Sequence, residues 1–273
     1  MDTTAFDLAK PYLIAPDQSA QYHRDGHILL RDVASEEEID YFRPLITGLV
    51  DELANGKDLL VRVDATTPLF IQVTNVWRKR EAIREFIFAE RFARIATDLM
   101  RVRGVRLYHD QALIKEPGGE ATPWHKDHYY WPLLTHDAVK MSLALVDIQV
   151  EMGAMRFATG THRSGLFPEV PISYDSQELF DRIIRDHKIP IVSYSMKAGD
   201  ATFHSGGLLH AALANSSAQR RESIAVIYYA DGTHIMQPNH EHRRVDMEQY
   251  LPGLKAGDLA ASAFNPLLYE SAH

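Results

Sequence analysis

The 273 residues include no cysteine. That excludes disulfides, thiolate nucleophiles, Cys-ligated zinc and iron–sulfur clusters, so any metal here must be held by histidine and carboxylate. Long apolar runs are also missing, and no window approaches the ~18–20 residues of a membrane-spanning helix. The opening MDTTAFDLAKPYL has no basic start followed by an apolar stretch, so a cytoplasmic protein with no membrane partner is expected. Positive charge is scarce: 29 Lys and Arg stand against 37 Asp and Glu, a net charge of −8. Without a Lys/Arg run to displace counterions from a phosphate backbone, nucleic acid is not an expected partner.

What is present is material for a core, with 45% hydrophobic and 24% charged residues, and 14 histidines. Ser35 is a candidate N-cap with Glu38 three residues on, and Ile39, Phe42, Ile46, Leu49 and Val50 follow at helical spacing until Asn55-Gly56. A second helical stripe, with Ile83, Phe86, Ile87, Ile95 and Leu99, runs from about 80 to 100. From Val105 the period changes to two. Val105, Leu107, His109, Gln111, Leu113 and Lys115 then share one strand face, whose mixed polarity suits a barrel lumen holding a polar ligand.

VKMSLALVDIQV (139–150) reads as another strand, and IPIVSYSMK, DATFH and ESIAVIYYA as three more. SQELFDRIIRDH reads as a short helix in a long connection and is expected to form a lid. A Pro- and Gly-punctuated tail closes the chain. The expectation is one domain over 1–273: helical support at about 35–100, a β sandwich or barrel at about 105–232, and a tail at 233–273.

Two His-x-Asp pairs occur. His23 and Asp25 precede Gly26 and the strand HILLRDV, where a turn accounts for them. His125 and Asp127 differ, because on a strand both would point to one side while Lys126 points away. They lie between EPGGEATP and the aromatics Tyr129, Tyr130 and Trp131, which form either a substrate wall or rim packing. Trp124 should pack outward. His204 and His210 both offer a third nitrogen. Arg221 and Ser223 share a face with Ala225 and Ile227, and a guanidinium in an apolar lumen needs an anion, most simply a ligand carboxylate gripped bidentately. Two histidines and one carboxylate leave metal positions open, as in non-haem Fe(II) oxygenases and unlike a closed structural zinc site.

With these motifs in view, the chain resembles the phytanoyl-CoA dioxygenase family of Fe(II)/2-oxoglutarate-dependent oxygenases. The resemblance rests on YHRDGHILLRDVASEEEI, LIKEPGGEATPWHKDHYYWPL, GAMRFATGTHRSG, GDATFHSGGLLHAALANSS and the R-x-S of Arg221 and Ser223. It implies a mainly β fold with flanking helices, a double-stranded β-helix (jelly roll, cupin-like). Implied with it are Fe(II), 2-oxoglutarate and O2 as cofactors, and His125, Asp127 and His210 as iron ligands and catalytic centre. His210 is preferred to His204 by the family's spacing to the arginine. Arg221 would hold the distal carboxylate of 2-oxoglutarate with Ser223 assisting, and Lys115, with Gln111 on its face, would lie near the cosubstrate.

Departures are Met141 or Ser142, where many relatives carry tryptophan, and Thr159-Gly160-Thr161-His162, where relatives often read Pro-Gly-Ser-His. The retained Asp127 argues against the halogenating branch of this chemistry.

The resulting expectation is oxidation of a C–H bond of a small organic metabolite, by hydroxylation or related desaturation, cyclisation or epimerisation, in natural-product biosynthesis. Alternatives are an acyl-CoA hydroxylase, a non-catalytic metal- or anion-binding jelly roll, and a zinc hydrolase with Glu116 or Glu120 as base. His128, His136, His162, His187, His234, His240 and His242 are expected in loops or on the surface, and His109 as a core histidine before a pocket one.

Overall fold

The computed structural model describes residues 6–55, 61–63 and 69–271. Helix α1 (Pro16–Asp25) starts with proline, which needs no intrahelical partner there, and ends at Gly26 with φ 78°. His23 and Asp25 therefore sit in the last turn of a helix rather than in a loop turn, and Asp25 pairs with Arg24.

Helix α2 (Glu36–Asn55) opens with the expected capping box: Ser35 N–H donates to Glu38 Oε2 at 2.8 Å, and Glu38 N–H to Ser35 Oγ at 3.2 Å. Gly56 lies outside the described residues. The single helix expected at 80–100 is two, α3 (Glu81–Ile87) and α4 (Glu90–Met100), separated by an extended Ala89. The break lets α4 turn Arg91 inward onto Glu38, while Phe86 of α3 stacks on Phe42 of α2 at 4.3 Å.

Two antiparallel sheets follow. The major one comprises β1 (His27–Leu30), β2 (Val61–Val63), β3 (Phe70–Thr74), β4 (Gly104–Lys115), β6 (Ala138–Ala144), β9 (Ala201–Ser205), β11 (Arg221–Ala230) and β12 (Leu267–Glu270). Its order is β1-β9-β6-β11-β4-β3-β2, with β12 also on β4. The minor one, in the order β5-β10-β7-β8, comprises β5 (Thr122–His125), β10 (His210–Ala212), β7 (Met155–Ala158) and β8 (Ile191–Ser193). Their inner faces meet: Phe157 of β7 stacks on His27 of β1 at 4.8 Å, and His210 of β10 lies 4.4 Å from His204 of β9.

Register explains the lining. Across β4, β11, β6 and β9 one inward rung is His109, Ile227, Lys140 and His204, and the next is Gln111, Ala225, Ser142 and Thr202. The six-residue face expected for β4 is broken. Ile227 pairs with His109 but Tyr228 with Leu107, leaving Tyr108 as an extra residue, and such a bulge inverts the alternation. Val105 and Leu107 consequently join the helix-covered core, and only His109, Gln111, Leu113 and Lys115 face inward. The strand expected at 139–150 ends at Ala144.

Two further helices depart from expectation. α5 (Tyr174–Asp186) is no lid over the lumen, because it packs behind β5, where Phe180 and Ile184 meet Trp124, Leu209 and Ala211. The C-terminal stretch is more than a tail. It holds α6 (Glu241–Tyr250), whose Tyr250 stacks on His109 at 3.9 Å, and the sheet strand β12. Among the described residues no helix is long and apolar enough to cross a membrane.

Candidate metal and cosubstrate site

His125 and His210 are direct partners across the β5–β10 ladder, with ring centroids 4.2 Å apart. β5 ends at His125, but Lys126 keeps an extended backbone (φ −117°, ψ 132°) before Asp127 opens a 3-10 turn over Asp127–Tyr129. Alternation thus carries one residue past the strand, and Lys126 points away, its Nζ donating to Phe167 O at 2.9 Å. Ligand-type atoms of His125, Asp127 and His210 all lie within 4.8 Å of one another, which among the described residues defines the group able to hold a metal ion.

The chemistry of the donors fits an ion. His125 Nδ1 lies 2.9 Å from Pro123 O and His210 Nδ1 3.0 Å from Leu208 O. A carbonyl only accepts, so each Nδ1 carries the proton and each Nε2 keeps its lone pair for a metal. Those Nε2 atoms stand 3.9 Å and 3.7 Å from the Asp127 carboxylate, beyond hydrogen-bond reach, and buried Asp127 Oδ2 has no hydrogen-bond partner.

Burial holds both imidazoles below the usual histidine range, hence neutral as ligation requires. Burial works against ionisation of Asp127, yet the nearby positive charge, that of Lys140 foremost, holds that carboxyl well below the carboxylate range. Neutral imidazole with carboxylate and open positions is a donor set suited to Fe(II).

His204, the competing third nitrogen, sits on the opposite sheet with Nε2 3.5 Å from Asp127 Oδ2, and neither of its ring nitrogens has a hydrogen-bond partner. It lines the site but lacks the carbonyl tether that orients the other two. Lys140, overlooked in the sequence, also reaches in, with Nζ 3.7 Å from Asp127 Oδ2. Period-two alternation in VKMSLAL, which groups Lys140 with Ser142 and Ala144, was the signal that could have found it.

Deeper in the barrel lies a small cavity of about 40 Å³, partly open to solvent, lined by Leu113, Ser142, Phe157, Tyr194, Arg221 and Ser223 among others. Of the two positions where a tryptophan is often found, Ser142 faces this cavity and Met141 the helix-side core. Arg221 is buried, its Nη1 donates to Gly153 O, and its Nε has no partner. No acid among the described residues forms an ion pair with it, and burial lowers its guanidinium to about 10. Ser223 Oγ makes only a 3.5 Å contact with Leu113 O.

Lys115 is paired across the ladder with Arg221, but its Nζ donates to Glu120 O and Leu213 O, each at 2.8 Å, and it does not line the cavity. Burial, and then the charge of Arg221, lowers its ammonium to about 7. Gln111 faces the lumen on the rung with Ser142. Glu116 pairs with Arg220 and Glu120 is exposed, so neither stands at the metal group as a hydrolase base would.

The remaining aromatics and histidines stand outside the metal group. Tyr129 stacks on His240 at 4.3 Å, Trp131 meets Tyr108 edge-on, and Trp124 packs outward with its indole N–H on Asp181. His109 is buried against Tyr250, a core histidine. His128 and His162 lie in short 3-10 turns and are half-buried, whereas His136, His187, His234 and His242 are exposed.

Fold and site together define the class of enzyme, a jelly-roll oxygenase with a two-histidine, one-carboxylate metal centre. The family model described as phytanoyl-CoA dioxygenase matches residues 22–223. The chain belongs to that family. Among curated relatives, the ectoine dioxygenase of Nocardia farcinica is 23% identical over 243 residues, covering 81% of this chain and 80% of its own. The phytanoyl-CoA dioxygenase of Arabidopsis thaliana is also 23% identical, covering 80% of this chain and 90% of its own.

Among solved structures, the non-haem α-ketoglutarate-dependent carbocyclase SnoK from nogalamycin biosynthesis superposes with a TM-score of 0.78 at 23% identity, over 93% of this chain and 96% of that one. The epimerase SnoN, in complex with Fe3+, α-ketoglutarate and nogalamycin RO, gives 0.75 at 25% identity, over 93% and 98%.

Proposed function

We propose that this protein is an Fe(II)- and 2-oxoglutarate-dependent dioxygenase that oxidises a C–H bond of a small organic metabolite. One observation carries the reading: a cluster of two tethered, neutral imidazoles and a carboxylate shares a barrel interior with a buried guanidinium that has no acid partner among the described residues. The first suits Fe(II), and the second suits the distal carboxylate of 2-oxoglutarate.

His125 Nε2, Asp127 and His210 Nε2 would hold the ion. Bound there with 2-oxoglutarate, Fe(II) supplies activation of O2 coupled to decarboxylation of the cosubstrate to succinate and CO2. The chain's own part is positional. Pro123 O and Leu208 O keep the protons on Nδ1, so both rings present Nε2 at a set angle. Arg221, anchored through one nitrogen to Gly153 O, has N–H groups left for a carboxylate, and Ser223 adds an O–H donor. Phe157, Ile148 and Met196 wall the cavity with apolar surface that keeps water from the cosubstrate.

A natural-product metabolite is favoured by the likeness to SnoK and SnoN and by Ser142, which leaves room where a tryptophan would stand. A net charge of −8 disfavours a CoA thioester, whose phosphates need a basic surface. Anaerobic titration of the apoprotein with Fe(II) and 2-oxoglutarate tests the reading. A weak visible charge-transfer band is expected only when both are present, and should be lost in Asp127→Ala and weakened in Arg221→Ala. No band in folded protein would overturn the proposal.

A further inference from the structure

Lys140 is the charged group that the reaction proposed above does not use. It stands on β6 between Ile227 of β11 and His204 of β9, on the inward rung beside the metal group. The residue is 9% exposed. Among the described residues its Nζ has a single charged neighbour, Asp127 Oδ2 at 3.7 Å, too far for a direct hydrogen bond. No hydrogen bond to this ammonium occurs among the described residues. At that exposure only a little of its charge can be left to water.

Metal binding would weaken that lone contact, because the Asp127 carboxylate would then neutralise the ion instead. Among the described residues, the inward positions from His109 to Lys115 of β4 and their partners on β11, β6 and β9 carry Lys140, Arg221 and Lys115 and no acid. Lys115 is already held by two carbonyls. In the loaded site, a divalent ion, Lys140 and Arg221 bring four positive charges, and Asp127 with doubly ionised 2-oxoglutarate brings three negative ones. One positive charge remains in a buried pocket, next to the place where substrate must lie. An uncompensated buried charge is unfavourable, so the site is complementary to one more anion.

Resting on the Fe(II)/2-oxoglutarate reading, we propose that Lys140 is a substrate-positioning residue that binds an oxyanion of the organic substrate, a carboxylate or an ionised phenol. The substrate class is accordingly a small organic anion. By holding that group beside the metal, Lys140 selects which C–H bond is presented. It occupies the lumen face of β6, two residues from Ser142, which lines the neighbouring cavity.

Calorimetry on full-length protein loaded anaerobically with Fe(II) and saturating 2-oxoglutarate tests this, with the absorption band reporting an assembled site. Acetate and benzoate are the probes, each against its neutral isostere, acetamide or benzamide. Wild type is expected to bind at least one acid about tenfold more tightly than its amide. Lys140→Met should abolish the preference, and Lys140→Arg, which keeps the charge, should retain it. Fe(II) affinity of Lys140→Met should hold or rise, because the ammonium competes with the ion for Asp127.

No acid preference in wild type, or an unchanged one in Lys140→Met, overturns the assignment. So does a fall in Fe(II) affinity of more than about tenfold with the preference intact, because that assigns the ammonium to Asp127 as a support of the ligand. Failure of the band in wild type is a separate result: it removes the iron and 2-oxoglutarate reading and this proposal with it.

Discussion

His210 stands directly opposite His125 in the antiparallel ladder of β10 and β5, so backbone hydrogen bonding sets the separation of the two imidazoles. His204 reaches Asp127 from the other sheet and has no carbonyl on either ring nitrogen. The two candidates for third ligand should therefore respond differently to alanine. His210→Ala is expected to lower Fe(II) affinity by more than about a hundredfold, beyond the range for loss of a supporting group, and His204→Ala by less than that. Equilibrium dialysis against Fe(II) under argon measures both, and the reverse order would make His204 the ligand.

Arg221 and Gly153 form one unit. Gly153 has φ 85°, and a Cβ there would lie 2.8 Å from Leu213 O and 2.9 Å from Lys115 Cδ. The glycine lets its carbonyl meet Arg221 Nη1. Arg221→Ala should cost about 2–5 kcal/mol of 2-oxoglutarate binding, at least thirtyfold by that scale, and Arg221→Lys about tenfold, because a point charge cannot reproduce the fork. Gly153→Ala should weaken 2-oxoglutarate binding in the same direction and destabilise the fold by about 1–3 kcal/mol. Unchanged 2-oxoglutarate affinity in Arg221→Ala would place the cosubstrate elsewhere.

Signals local in sequence were readable: the Ser35–Glu38 box, the period-two strands, and the spacing of His125 and Asp127. Non-local features were not. The bulge at Tyr108 is set by how β4 pairs with β11, and nothing in VRLYHDQALIK marks which residue is extra. α5 has the composition of any amphipathic helix, and the tertiary contacts of Phe180, Ile184 and Asp181 with β5 and its neighbours reveal that it braces that strand from behind. Lys115 faces inward as its alternation requires, yet its ammonium turns to Glu120 O and Leu213 O, carbonyls that the chain brings there from 5 and 98 residues away. Lys140 was legible and passed over, because a lysine in an apolar strand is ordinarily read as solvent-facing.

Arg91 joins the N-terminal segment to the helices. Its guanidinium donates to both Glu38 oxygens, at 2.8 and 2.7 Å, and to the carbonyls of Asp7, Lys10 and Val33. Both partners are buried. Arg91→Met should destabilise the protein by about 3–5 kcal/mol, since Glu38 is left charged in an apolar surround. Adding Glu38→Gln should restore part of that, because the remaining group can be neutral. Thermal unfolding of the single and double variants checks this, and strict additivity of the two losses would show that the pair is uncoupled.

Asp110 makes stability depend on pH in a direction that can be worked out. It lies on β4 with its carboxylate accepting from Val76 N–H at 2.9 Å, and burial, outweighing the backbone donors, raises its carboxyl to about 7. The native state therefore binds a proton that the unfolded chain, with an ordinary carboxyl near ~3.9, has already released. Between these limits the folded form holds more protons, so unfolding free energy falls as pH rises. The contribution is complete below about pH 4 and lost on passing through about pH 7, at most about 4 kcal/mol at ~1.4 per pH unit. Asp110→Asn cannot titrate. Urea unfolding at several pH values should thus show the wild-type-minus-variant difference shrinking steadily from pH 5 to 7.5, and a difference that stays flat or grows would mean that Asp110 is ionised throughout, its charge carried by the Val76 and Trp77 amides.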